Sequence, residues 1–377
     1  MSENGLRRIA TKPALKSTDS RKLLDMKKIL DQNNIRRFEE LIDGSSKIVL
    51  TCHVHPDGDA LGSTLGLCHV LRKIGKEASV VMPDQPPKAL RFVPGSGEIA
   101  VYTKHDPYCQ RLISECDLII CCDFNAFSRL DHLAPLIEES KVDKVLIDHH
   151  QDPCIDSKVC FSYPGMSSTC ELVFRIIADM GLYDEMDSAS ATCLLTGLIT
   201  DTQNFTVNCH GTEIYEILIR LMEKGADKET IINQAVKACS YDSLRIKAYG
   251  VSERMKIYPE HCAVIISLSK EDLERFHYEK GDTEGLVNEP LRIGGIVYSI
   301  FLREDAEEIK ISARSKGQFP VSKICSDLFG GGGHIQASGA EFKGSLSECK
   351  AIIEEHMADY DEFLPRKMEK IDWSGAQ

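Results

Sequence analysis

Short runs of Val, Ile, Leu and Cys alternate, along the first half of the chain, with longer stretches in which apolar residues return every three or four positions. Runs of four to six apolar residues suit strands buried on both faces, and the longer period suits helices packed over them. The pattern predicts strands over 47–52, 78–82, 117–122 and 144–147, with helices over 23–30, 35–42 and 60–74. A doubly wound, mainly parallel α/β sheet follows.

Beyond the sheet, Ser167-Ser168-Thr169-Cys170-Glu171 opens a helix with the look of a capping box, and 188–200 is a strongly apolar helix ending in Thr200-Asp201-Thr202. Two helical patterns, separated by Gly225-Ala226, fill 212–239. From about Tyr249 the pattern turns to strands, over 262–268, 293–302 and 308–313. A helix over 321–329 then runs into Gly330-Gly331-Gly332-Gly333-His334, and a last helix lies within 347–360. The expected division is a tail and short helix (1–33), a metal-binding α/β domain (34–208), a helical connector (209–248), a smaller α+β domain (249–365) and a frayed tail (366–377).

Three of the predicted strands run directly into acid or imidazole. The first delivers His53, Asp57 and Asp59, the third Asp123, and the fourth Asp148, His149 and His150. Ligands in open α/β sheets bind outside the strand carboxyl ends, so these groups are expected to converge. Asp201 joins them, because a carboxylate at a helix carboxyl end opposes the macrodipole and calls for a cation nearby. Taken singly, each of these acids could instead be a helix cap or a surface residue.

The donor set of His53, Asp57, Asp59, Asp123, His149 and Asp201 mixes carboxylate with imidazole and holds no thiolate. Manganese or magnesium suits it better than structural zinc. If one carboxylate bridges two ions, the site has the two-metal form that clamps attacking and leaving oxygens in phosphoryl transfer, with a metal-bound water or hydroxide as nucleophile.

Composition narrows the partners. A net charge of −13 disfavours long duplex nucleic acid, while small phosphorylated ligands remain compatible with a cation-bearing site. The fifteen cysteines lie largely inside apolar runs, with no CxxC pair, and are expected to be free thiols. No apolar run is long enough to span a bilayer and no secretory leader is seen, so the expected location is cytoplasmic.

His53-x-x-x-Asp57-x-Asp59, Asp123 after a strand, Asp148-His149-His150, Asp201 in Thr-Asp-Thr, and the Gly330–Gly333 run with His334 resemble the successive motifs of the DHH phosphoesterases with their DHH-associated domain. Within that family the likeness is to the oligoribonuclease and 3′-phosphoadenosine-5′-phosphate phosphatase subgroup. The resemblance implies two Mn²⁺ ions, with Mg²⁺ or Co²⁺ as substitutes. His53 and Asp57 would hold one ion, Asp59, His149 and Asp201 the other, and Asp123 would bridge them. It further implies that Asp148 orients a ligand histidine from behind, that His150 faces the substrate phosphate, and that Arg314 and Ser315 bind phosphate.

The glycine run is read in two ways: a flexible turn, or a loop whose N–H groups at Gly331, Gly332 and Gly333, beside His334, approach an anion. Substrate is expected between the two domains. The implied substrates are short RNA oligonucleotides and small bisphosphonucleotides, with no membrane partner and a homo-oligomer open. Cyclic-dinucleotide hydrolysis, inorganic pyrophosphatase activity and non-catalytic nucleotide binding are the alternatives. His55 stands where the subgroup usually has Asn, as either a weak extra ligand or a group bonded elsewhere.

Overall fold

The computed structural model describes residues 28–209 and 211–365. Only residues 28–30 of the helix expected over 23–30 fall within it, and the expected tails at 1–20 and 366–377 lie outside the described residues. The chain divides into two compact units, 1–238 and 239–377.

The first unit holds a six-stranded sheet: β1 Lys47–Thr51, β2 Glu77–Met82, β3 Ala100–Val101, β4 Leu118–Cys122, β5 Asp143–Asp148 and β6 Val159–Ser162. All pairings are parallel, in the order β3-β2-β1-β4-β5-β6. The order reverses between β1 and β4, which makes their carboxyl ends the natural crevice. β3 and β6 escape the sequence pattern because both are short edge strands, and β6 buries only alternate residues.

Strand pleating sorts the apolar residues onto two faces. Ile48, Leu50, Leu118, Ile120, Val145 and Ile147 point to one core. Helices α1 (Gln32–Gly44), α2 (Gly58–Lys73), α3 (Thr169–Asp179) and α4 (Ser188–Asp201) supply its other side, with Phe38, Leu61, Leu65, Leu172, Ile176, Leu194 and Leu198 fully or nearly fully buried. Val49, Ile119, Cys121 and Leu146 face the opposite side, where the helix Tyr102–Glu115 covers them with Cys109 and Ile113. Burial on both faces is the reason these strands read as unbroken apolar runs.

The residues expected as a connector are shared between the two units. The helix Glu213–Glu223 buries Ile214, Ile217 and Leu221 in the first unit's core, and Ile231 joins them. The helix Tyr241–Ser252 buries Ile246 in the second unit. Amphipathic helices of this kind need a core to cover, which a free connector does not offer.

The second unit is a mixed six-stranded sheet: β7 Met255–Tyr258, β8 Ala263–Leu268, β9 Tyr298–Glu304, β10 Ile309–Ser315, β11 Gly332–His334 and β12 Ala337–Phe342, in the order β11-β12-β10-β9-β8-β7. β8 and β9 pair in parallel, while the other pairings are antiparallel. The strand predicted from 293 begins at Tyr298, because a 3₁₀ segment (Leu286–Arg292) and Gly295 at φ 79° turn the chain first. The glycine run is not a free loop. After the helix Val321–Phe329, residues 332–334 form an edge strand against β12. A Cβ on Gly331 would lie 2.3 Å from the Gly339 carbonyl oxygen, so close strand packing itself demands glycine there.

None of the fifteen cysteines is in a disulfide. Among the described residues no helix is long and apolar enough to cross a membrane.

Candidate metal centre

The turn after β1 is built around Asp57. Its Oδ1 accepts the N–H groups of Asp59 and Ala60, each at 3.0 Å, and so caps α2. The same side chain lies beside His53, whose Nε2 is 3.9 Å from Asp57 Oδ1 and 3.5 Å from Asp123 Oδ2. The helix cap and the candidate ligand are therefore one residue. His53 Nδ1–H donates to the Val54 carbonyl at 2.8 Å, which leaves Nε2 turned to the carboxylates.

His149 is arranged in the same way. Its Nδ1–H donates to the Met166 carbonyl at 3.3 Å, and Nε2 stands 3.7 Å from Asp123 Oδ1, 3.7 Å from Asp201 Oδ2 and 3.9 Å from Asp59 Oδ2. Asp123 thus faces His53 with one oxygen and His149 with the other. Three groups of donor atoms, His53/Asp57/Asp123, Asp59/His149/Asp201 and Asp123/His149/His150, each gather within 4.8 Å. All six predicted ligands are brought together at the carboxyl ends of β1, β4 and β5 and of α4.

Electrostatics marks the centre as short of positive charge. Burial, then the charges of Asp59 and Asp57, pushes the Asp123 carboxyl well above the usual range. Burial pushes Asp59 up as well. Burial together with Asp59 carries Asp201 up to about 7. Burial pulls His149 down, but the surrounding Asp59, Asp123 and Asp201 more than reverse it. Oxygen and imidazole donors crowded in this way, without a cationic side chain among them, fit divalent cations.

One expectation changes, and of the two readings of His55 the bonded one is found. Asp148 does not orient His149: its Oδ1 accepts Nδ1–H of His150 at 2.7 Å, while a backbone carbonyl sets His149. That bond occupies the His150 nitrogen nearest Asp123, 3.8 Å away, so His150 is no further ligand through it. Nor is His55 an extra ligand. Its backbone is left-handed at φ 55°, and both its N–H and its Nδ1 bond to Asp84, at 3.1 and 2.8 Å.

In the second unit, β10 ends in Arg314 and Ser315. Arg314 is half-buried and makes no ion pair among the described residues. Burial pulls its guanidinium down from the ordinary value. Ser315 spends both donors internally, Oγ on the Phe319 carbonyl at 2.6 Å and N–H on that of Gln336 at 3.0 Å, and so has none left for phosphate. Gly331 likewise spends its N–H on the Cys325 carbonyl. Gly332, Gly333 and His334 are exposed on the edge strand.

Thr169 was hidden in the sequence. Ser168 performs the capping, accepting the Glu171 N–H at 3.0 Å, whereas the Thr169 hydroxyl donates to Asp123 Oδ1 at 2.9 Å. Nothing in a Ser-Ser-Thr string distinguishes a capping hydroxyl from one aimed across the sheet.

Fold and donor set together define a metal-dependent phosphoesterase on a doubly wound α/β frame. Residues 47–198 match the DHH family, N-terminal domain, and residues 263–359 match the DHHA1 domain. The chain belongs to the DHH/DHHA1 phosphoesterase family. It is similar to the bifunctional oligoribonuclease and PAP phosphatase NrnA of Thermus thermophilus, at 29% identity over 79% of this chain and 84% of that one. It is also similar to the cyclic-di-AMP phosphodiesterase GdpP of Geobacillus thermodenitrificans, at 26% identity over 86% of this chain, and spans about half (49%) of that protein's length. The crystal structure of an exopolyphosphatase-related protein from Bacteroides fragilis superposes with a TM-score of 0.87 at 41% identity, over 90% of this chain and 99% of that one.

Proposed function

We propose that this protein hydrolyses short nucleotide phosphoesters with manganese, releasing 5′-mononucleotides from oligoribonucleotides a few units long and converting 3′-phosphoadenosine 5′-phosphate to AMP. The observation that carries the reading is the gathering of His53, Asp57, Asp59, Asp123, His149 and Asp201 around two adjacent points. Two Mn²⁺ ions held there, or Mg²⁺ or Co²⁺ in their place, supply activation of water and neutralisation of phosphate charge.

In this reading His53 and Asp57 serve one ion, Asp59, His149 and Asp201 the other, and Asp123 both. His150 donates Nδ1–H to Asp148, so a phosphate oxygen would be met at Nε2 by the doubly protonated imidazolium, whose Nε2–H is the donor. In the second unit Arg314, half-buried with no ion pair among the described residues, would offer its planar fork to phosphate, and Gly332, Gly333 and His334 stand exposed on the edge strand. The similarity to the NrnA protein supports this substrate class. A second reading, hydrolysis of cyclic dinucleotides, is favoured by the similarity to the GdpP protein.

One assay separates the readings. The full chain, purified and loaded with Mn²⁺, is given a labelled RNA dinucleotide, 3′-phosphoadenosine 5′-phosphate, cyclic di-AMP and pyrophosphate side by side, with Asp123→Ala as control. Turnover of the first two well above the control supports the proposal. Preferential turnover of cyclic di-AMP replaces it with the second reading, and no turnover of any of the four overturns both.

A further inference from the structure

Within five consecutive residues, Met166–Cys170, three bond to three of the six candidate ligands, each ligand carried by a different element. The Met166 carbonyl holds Nδ1–H of His149, which follows β5. The N–H groups of Thr169 and Cys170, at the first turn of α3, donate to Asp59 of α2 at 2.7 and 2.9 Å, one to each carboxylate oxygen. The Thr169 hydroxyl donates to Asp123 after β4. Thr169 has no solvent exposure, and Asp59 and Asp123 are 1% and 2% exposed. No water can stand in for these donors without displacing protein atoms.

The segment is itself clamped from behind. Glu171 Oε2 accepts both the N–H and the hydroxyl of Ser167, at 2.9 and 2.6 Å, while Oε1 takes the Arg175 fork at 2.9 and 2.7 Å. Glu171 and Arg175 are both buried. A buried bidentate pair of this kind fixes geometry more surely than it adds stability.

We propose that this clamped turn sets the geometry of the metal centre, with Thr169 as the positioning residue for the carboxylate shared between its two halves. The hydroxyl bonds to Oδ1, the oxygen on the His149 side, and leaves Oδ2 to the His53 side. It thereby fixes the plane of the Asp123 carboxylate, so that each oxygen keeps a lone pair for its own neighbours. Without it the buried carboxylate loses its one side-chain donor and is free to rotate, and a cation has to order it on binding. Two backbone N–H groups hold Asp59 whatever side chain stands at 169, so the loss falls on Asp123.

This inference rests on the metal-binding reading above, and its test separates the two. Mn²⁺ binding to the full chain is titrated calorimetrically and by the electron paramagnetic resonance signal of the free ion, in wild type, Thr169→Val and Thr169→Ser. Metal-free thermal unfolding of each variant confirms that it folds. Thr169→Val keeps the shape but not the donor and is expected to weaken Mn²⁺ binding about 10–100-fold. Thr169→Ser, which keeps the hydroxyl, is expected to restore it. Wild-type affinity in Thr169→Val, or equal losses in both variants, overturns the positioning role. Failure of the wild type itself to bind Mn²⁺ overturns the metal reading, and this inference with it.

Discussion

Asp148 Oδ1 accepts Nδ1–H of His150 at 2.7 Å from a side chain with no solvent exposure, and its other oxygen has no hydrogen-bond partner among the described residues. An ionised carboxylate only accepts, so this bond fixes the imidazole proton on Nδ1 and keeps Nε2 for substrate. Asp148→Asn is expected to lower kcat/KM about 10–100-fold with Mn²⁺ affinity unchanged, because none of the six candidate ligands rests on Asp148. An equal fall in Mn²⁺ affinity would move Asp148 into the metal centre and remove this role.

Metal is expected to act as a structural ligand too. Asp59, Asp123 and Asp201 lie close together, and burial and the charge of neighbouring carboxylates push all three upward. Mn²⁺ relieves that crowding only in the folded state. At one hundred times its dissociation constant it is expected to add about 2.7 kcal/mol of stability, seen as a rise in Tm that EDTA reverses. A Tm indifferent to Mn²⁺ would contradict the site.

The sheet and five of the six candidate ligands were legible because a strand buried on both faces leaves a continuous apolar run with polar residues at the crevice just beyond it; Asp201 was legible instead as a carboxylate at the wrong end of an apolar helix. Asp123 after Leu118–Cys122 and His149 after β5 are found this way. β3 and β6 were not, since an edge strand of two or four residues needs no such run. Thr169 was missed because its chemistry depends on direction. Asp84 was missed because it pairs across 29 positions with His55, for which the sequence offered a bond elsewhere without naming its partner. The glycine run was only partly legible: its composition suits an anion loop, and close packing of Gly331 and Gly333 against β12 uses the same absence of side chains.

A second small-residue requirement lies beneath the metal centre. α2 and α4 cross at Gly62 and Gly197, and a Cβ on Gly197 would stand 2.2 Å from Cys170 Sγ and 2.8 Å from Asp59 Oδ1. Gly197→Ala is expected to cost about 1–3 kcal/mol by overpacking and to weaken Mn²⁺ binding by displacing Asp59. Gly44→Ala, where nothing lies within 4 Å, is the matched control and is expected to be neutral or slightly stabilising. Denaturant midpoints and Mn²⁺ titrations on both variants check this, and equal effects of the two substitutions would refute the packing argument.

The second unit carries its own acid-sensitive joint. Asp272 is 4% exposed and receives the Arg254 fork, Nε to Oδ2 and Nη2 to Oδ1, both at 2.9 Å, together with the Ser269 N–H at 3.0 Å. Burial alone raises such a carboxyl, but the Arg254 bonds and the Ser269 N–H outweigh it and hold Asp272 below its ordinary 3.8. The unfolded chain therefore takes up this proton first as pH falls. The stabilisation is whole above about pH 4 and is lost as pH drops below that, through the depressed folded value. Arg254 is partly exposed, so the pair is worth less than a sealed one. Asp272→Asn is expected to cost about 1–3 kcal/mol at pH 7. Urea unfolding of wild type and variant from pH 7 to pH 3 should give curves that converge toward the acid end. A gap that stays constant or widens with acid would show that Asp272 contributes through packing and not through its charge.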